Sequence, residues 1–356
     1  CDVTLSSTPL GSDFTSIGDN GASGADCKLV ASRNYAGFVL ENSKLTGGIQ
    51  RTIANQAARG SVVASELNTG YGFVLDNSKV DLDGLIDIYG NQKGIEADNS
   101  KFVFENLCVE AHSGEAIRSR NSVFLFDSIA GPTQVGQSDR YQVDFLENGQ
   151  HIDLQSNSSF GFRRKNSIPQ TYGNTRFDVA HGVITWEEEN RAALPAISVD
   201  GGSTLDLVHP IINVSGILDN VENMPSFGRA LRVVNNSTAS LFGSKTGANF
   251  IFGPPGYNYQ QKMAGIFAKN NSVINLHGPT AIAHFGVDAL VENNSVLNIE
   301  PARKRESFAL EVSGFDLEDG ENHTAVELHS TRSCLVADKN STINMNDLGA
   351  FPANWK

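Results

Sequence analysis

Residues 94–104 read Gly94-Ile95-Glu96-Ala97-Asp98-Asn99-Ser100-Lys101-Phe102-Val103-Phe104, and this stretch decides the fold. Counted from Ser100, apolar side chains stand at −5 and −3 (Ile95, Ala97) and again at +2 and +4 (Phe102, Phe104). Alternation at every second residue is a strand signal, whereas a helix repeats its apolar positions three and four residues apart. Asn99 and Ser100 lie between the two strands, and Asn suits the left-handed backbone that a sharp corner requires. The stretch therefore reads strand, tight bend, strand, with one face turned inward.

The same unit returns ten times, at Ser43, Ser78, Ser100, Ser122, Ser158, Ser203, Ser237, Ser272, Ser295 and Ser341. The spacings are 35, 22, 22, 36, 45, 34, 35, 23 and 46 residues, so a unit of 22 to 23 recurs alone, with about a dozen residues added, or doubled. Repeats of this length stack as a solenoid, because one unit cannot bury its own apolar face. The first four copies keep the apolar pair at −5 and −3, while most later ones move it to −6 and −4, as Leu231 with Val233 and Leu335 with Ala337 show. The bend thus gains one residue in the second half of the chain; the copy at Ser295 fits either frame. The two longest intervals are each expected to hide one coil without the dipeptide. The bend residues Asn42, Asn77, Asn99, Asn121, Asn157, Asn236, Asn271, Asn294 and Asn340 are expected to stack and bond to one another as an internal polar ladder.

A coil of 22 residues holds three short strands and three bends. That predicts an all-β, single-stranded right-handed parallel β-helix of about a dozen coils, a rod of roughly 55–60 Å at ~4.8 Å per strand. Neither the LxxLxLxxN consensus of leucine-rich repeats nor long helical patterns occur. Residues 1–34 read as an amino-terminal cap or lead-in, 35–350 as the solenoid and 351–356 as a tail. The lengthened stretches, near 46–70, 130–150, 163–195, 208–229, 243–264 and 300–333, are expected to emerge as loops at one corner, where binding residues usually sit. The chain begins with Cys, which reads as a processed form or a fragment, and a further domain is expected to follow its end.

The chain has 356 residues, 40% of them hydrophobic and 20 of them Phe, enough for a continuous core. Its formal net charge of −13 argues against a nucleic-acid partner, which normally needs a basic surface. No run of eighteen apolar residues provides a membrane span. Of the four cysteines, Cys108 is expected to face the core. Cys1 and Cys27 are open to a bridge, and an amino-terminal Cys is also the residue that carries lipid in a mature bacterial lipoprotein, a reading that needs a preceding lipobox. No HExxH or paired metal spacing exists among the eight histidines, and no cofactor or metal is expected.

Candidate sites fall in the lengthened stretches, each with two readings. Trp186 beside Glu187, Glu188 and Glu189 reads as an aromatic platform next to carboxylates able to hold or cleave a sugar chain, or as a strand end with a solvated acidic loop. Tyr257 and Tyr259, on a Pro/Gly loop, read as a stacking surface for a sugar ring or a partner chain, or as a loop folded over the flank of the coil. Asp316, Glu318 and Asp319 are open to calcium but lack a ligand set of known geometry. Asp81 and Asp83 follow strand alternation toward solvent.

The repeat AxxVxNNSxVxL, as in ALVENNSVLNI and ALRVVNNSTASL, resembles the pectate-lyase-like β-helix superfamily, and in particular the repeat-rich fibre and spike proteins of tailed bacteriophages, including cyanophage types. The resemblance covers roughly residues 35–350. It implies an elongated, non-enzymatic attachment component of a virion, homotrimeric, in contact with other virion proteins and with cell-surface polysaccharide. The RxPxxR pair of pectate lyases and the NTD, DD, GHG and RIK segments of polygalacturonases are absent, so no catalytic residue carries over. A polysaccharide lyase or hydrolase of the tailspike kind, and a bacterial surface adhesin or lipoprotein, are the alternatives.

Overall fold

The computed structural model describes residues 2–6, 29–48, 61–126, 143–146, 148–162, 175–178, 195–208, 210–214, 228–243, 249–253, 263–278, 280–300 and 326–345. Among these residues there are twenty-seven strands and no helix. Every strand pairing is parallel. The strands fall into three faces. Face A starts with Ala36–Glu41, Tyr71–Asp76, Lys93–Asp98, Glu115–Arg120 and Gln150–Gln155, and ends in the second halves of Thr280–Glu292 and Val326–Ala337. Face B follows each bend, from Asp2–Ser6 and Lys44–Gly48 to Val296–Glu300 and Thr342–Met345. Face C closes the coil, from Leu29–Ser32 and Ser61–Glu66 to Val326–Ala337. Each strand pairs with its equivalent one level on, so the chain is a parallel β-helix. Face B has eleven described levels, about 50 Å at ~4.8 Å each.

The inward positions are the alternating pairs read from the repeat. Ile95, Phe102, Phe104 and Phe124 are at most 1% exposed, and equivalent residues continue through Leu205, Ile274 and Leu297. Phe102, Phe124 and Phe160 form a column on face B, with Phe102 stacked on Phe124 at 5.6 Å and Phe124 on Phe160 at 6.2 Å, and Phe73 of face A meets Phe102 edge-on at 5.7 Å. Each such side chain contributes about 1.5–3 kcal/mol by leaving water. Cys108 does not join this core. Leu107 and Val109 on either side take the inward positions, so alternation turns Cys108 outward, where it is half-buried between Asp87 and Asp144 of the adjacent coils.

All ten serines stack along the bend between faces A and B. Each serine N–H donates to the hydroxyl of the next, from Ser43 to Ser78 (3.0 Å) through to Ser295 and Ser341 (3.3 Å), in nine successive bonds. The hydroxyl in turn donates to a carbonyl of its own coil. In the first four copies this is the carbonyl two residues back, of Glu41, Asp76, Asp98 and Arg120; in later copies it is three back, of Gln155, Asp200 and Lys269. The backbone shows the same change of frame. Asn42, Asn77, Asn99 and Asn121 are single left-handed residues (φ 46–48°), whereas pairs such as Asn235–Asn236 and Asn270–Asn271 are both left-handed from the fifth copy on. Asn293 and Asn294 are both left-handed, which puts the Ser295 copy in the longer frame.

No coil is hidden in the two longest intervals. Ser158 bonds directly to Ser203 and Ser295 directly to Ser341, which leaves no level between them. The additional residues enter elsewhere, and at two junctions rather than one corner. Residues 49–60, 127–142, 163–174, 244–248 and 301–325 lie between faces B and C, and residues 179–194, 215–227 and 254–262 between faces C and A; all are outside the described residues.

Candidate functional site

The outer side of face A carries a row that the sequence disperses and the coil assembles. In register along the rod stand Val39, Val74, Glu96, Arg118, Asp153, Ser198 and Arg232, one residue per level. Strand alternation forces this, because Ile95, Ala97, Ile117, Ile152 and Leu154 occupy the inward positions between them. Charge alternates along the row and is tied together from the side. Lys93 lies 3.5 Å from Glu115 and 3.9 Å from Glu96, and Arg118 lies 3.7 Å from Glu115 and 3.9 Å from Asp153. Gln155 donates to Asp153 at 2.6 Å, while Arg232 reaches Asp200 at 3.2 Å and the Ser198 hydroxyl at 3.1 Å.

Two tyrosines border this row. Tyr35 is 70% exposed and meets Tyr71 edge-on, with ring centroids 6.0 Å apart, and the Lys93 ammonium stands 5.7 Å above the Tyr71 ring. Partial burial, and then the negative charge of Glu96, raise the Tyr71 pKa above its ordinary value. Burial likewise raises the carboxyl of Asp153, against the opposing pull of its bond from Gln155 and of Arg118. The arrangement joins an exposed ring face to alternating donors and acceptors, the two things a pyranose offers partners for: apolar C–H faces and a belt of hydroxyls. Partly exposed ion pairs of this kind add little stability, at most about 1 kcal/mol each, so their worth lies in placing polar groups.

A second polar chain, exposed at Asn34 and buried from Asn68 on, runs along the bend between faces C and A. The Asn34 N–H donates to Asn68 Oδ1 (2.9 Å), Asn68 to Asn91 Oδ1 (2.8 Å), Asn91 to His112 Nδ1 (3.0 Å) and His112 to Asn148 Oδ1 (3.2 Å). At the preceding residues Arg33, Leu67, Gly90 and Ala111 the backbone is left-handed. His112 replaces an Asn in this series, and burial lowers its pKa to about 4. The sequence did hold a signal, an Asn or His nine or ten residues before each of the first five serines: Asn34 before Ser43, Asn68 before Ser78, Asn91 before Ser100, His112 before Ser122 and Asn148 before Ser158.

The amide ladder of the Asn-Ser bend lies on the outside of the rod, and the internal rungs there are the serines. Asn77 donates to Asn42 at 2.6 Å and Asn121 to Asn99 at 2.5 Å, all four residues being exposed. Asn157, Asn236, Asn271, Asn294 and Asn340 take the second left-handed position of their bends and are also exposed. There the amide bonds run through the residue before, from Asn235 to Asp200, Asn270 to Asn235 and Asn293 to Asn270. Trp186, Glu187, Glu188, Glu189, Tyr257, Tyr259, Asp316, Glu318 and Asp319 lie outside the described residues. Asp81 lies on the outer side of face B and accepts from Lys79 at 2.6 Å. Among the described residues no group of three or more His, Cys, Asp or Glu is placed to hold a metal ion, and no helix is long and apolar enough to cross a membrane. No family description, no curated protein and no solved structure matches the chain.

Proposed function

We propose that this chain is a segment of an elongated, non-enzymatic attachment component of a phage virion, of the fibre or spike type, which presents face A to a cell-surface polysaccharide. The observation that carries the reading is the row on face A, where Tyr35 and Tyr71 adjoin Lys93, Glu96, Glu115, Arg118 and Asp153 on a rigid strand lattice. A rod held by two polar ladders and a continuous core suits support and display. The likeness of its repeats to phage fibres and spikes supports the virion setting, with a homotrimer and other virion proteins as partners. An adhesin on a bacterial surface would use the same face.

A second reading, a polysaccharide lyase or hydrolase, draws on Asp153. Burial raises the pKa of its carboxyl, and it shares Arg118 with Glu115, so two carboxyl groups, the residue type general acid–base work needs, stand at adjacent levels. Incubation of the chain with immobilised capsule or lipopolysaccharide separates the two. Retention of the protein without release of reducing ends or unsaturated sugars is expected, and Tyr35→Ala with Arg118→Ala should weaken retention at least about tenfold. Unchanged retention in that double variant would sink the face A reading. Sugar release abolished by Asp153→Asn would establish the enzyme instead.

A further inference from the structure

The first three levels of the Asn-Ser bend carry a charge pattern unlike the row on face A. On the face A side stand Glu41, Asp76 and Asp98, in register one above another. Lys44, Lys79 and Lys101 stand in register on the face B side. At each level one left-handed Asn and one serine separate acid from lysine. The two stripes lie on different faces, and among the described residues no ion pair joins them; Lys79 alone is engaged, with Asp81 at 2.6 Å. Carboxylates repeated at ~4.8 Å repel one another, and so do ammonium groups. The charges of face A, by contrast, are matched within the chain.

One exposed apolar side chain adjoins the acidic stripe. Among the described residues Val39, 58% exposed, sits two residues before Glu41 on the same outer face, whereas Leu29, Val30, Tyr35, Leu67 and Tyr89, exposed at the same levels, lie on face C or at the bend between faces C and A. At the fourth level the pattern stops: Arg120 and Val123 hold the equivalent positions.

We propose that this bend, over its first three levels, is a contact surface for a second copy of the chain lying parallel and in register. Rotation about an axis parallel to the rod sets each acidic stripe opposite a lysine stripe at the same height. Glu41 then faces the partner's Lys44, Asp76 faces the partner's Lys79 and Asp98 faces the partner's Lys101, with the Val39 side chains beside them. An antiparallel copy sets like charge against like. The match holds for any cyclic assembly about that axis, so it fixes orientation rather than copy number. The interface rests on the homotrimer of the proposed function and takes Val39, Glu41, Asp76 and Asp98 from the first levels of face A.

Sedimentation equilibrium of the full 38.2 kDa chain tests it. Self-association is expected at about 0.05 M salt and should weaken at least about tenfold by about 1 M, where the screening length falls to ~3 Å. Glu41→Lys, Asp76→Lys and Asp98→Lys together should give a monomer, as should Lys44→Glu, Lys79→Glu and Lys101→Glu together. A mixture of the two variants should associate, and so should a chain carrying all six changes. Should a reversed variant fail to fold, carbodiimide cross-linking of mixed isotope-labelled wild-type chains still decides, with Asp76–Lys79 links between copies expected. A chain monomeric at every salt concentration, association that survives reversal of one stripe, or intermolecular links joining opposite ends of the rod would overturn the proposal.

Discussion

Replacing Ser100 with Ala removes one rung of the serine ladder at a site where its value can be worked out atom by atom. Its hydroxyl accepts from the Ser78 N–H at 3.0 Å and donates to the Asp98 carbonyl at 2.7 Å, and both serines are at most 6% exposed. The Asp98 carbonyl keeps a partner, the Asn77 N–H at 3.0 Å. The Ser78 N–H is left buried without an acceptor, which costs about 1–3 kcal/mol, so the variant should lose about 2–3 kcal/mol in all. Ser43→Ala is the chemically identical control. Its hydroxyl donates to Glu41 at 2.7 Å, but among the described residues no N–H donates to it, so its loss should be about 1 kcal/mol. Amide hydrogen exchange reads the difference locally: protection of the Ser78 N–H should fall by about tenfold or more in Ser100→Ala, with a matching drop in the denaturant midpoint. Equal destabilisation by the two variants, or an unchanged exchange rate at Ser78, would refute the assignment of the hydroxyl as the acceptor.

Phe124→Asp places a carboxylate in the Phe102–Phe124–Phe160 column at a fully buried position, a cost of several kcal/mol, and should leave the rod unfolded or aggregated by circular dichroism and light scattering. His112 titrates at about 4 in the fold against an ordinary 6.5, so between those values the unfolded chain binds more protons. Stability is therefore full above pH 6.5 and declines by up to about 3 kcal/mol as pH falls toward 4. His112→Asn, which restores the residue type of the neighbouring rungs, should flatten that pH dependence in unfolding titrations. Gly94→Ala drives a methyl group against the Ala116 carbonyl oxygen and a Val109 methyl, inside normal contact distance, and should lower the thermal midpoint, whereas Asn99→Gly, which keeps the left-handed bend, should change it little.

The architecture was legible because its signal is local and repeated. Ile95, Ala97, Phe102 and Phe104 alternate within eleven residues of one another and the pattern returns in nearly every copy, and the single-residue lengthening of later bends can be counted in the positions of Leu231 and Val233. The polar chain at the second bend carries no fixed motif, because His112 stands in for Asn and its distance to the serine changes between nine and ten residues. The face A row was illegible for a different reason. Glu96, Arg118, Asp153 and Arg232 are 22, 35 and 79 residues apart along the chain and become neighbours or near-neighbours only once the inserts between them are set aside. Doubled spacing looked like a missing coil because length alone does not distinguish a level from a loop.

At the bend between faces A and B, no repeat gains more than a residue or so, while the other two junctions accept anything from none to about two dozen. A change of length at the serine bend would break the bonds to the levels on both sides. The same change at the junction between faces B and C leaves both ladders untouched. The coils and the segments between them are therefore separable units of inheritance: a recombination event can exchange one segment for another of unrelated length and the coils still seat tooth by tooth. For an engineer, the intervals 49–60, 127–142 and 301–325 are the sockets into which a foreign recognition segment can be spliced, and the row of serines is the seam to leave unopened.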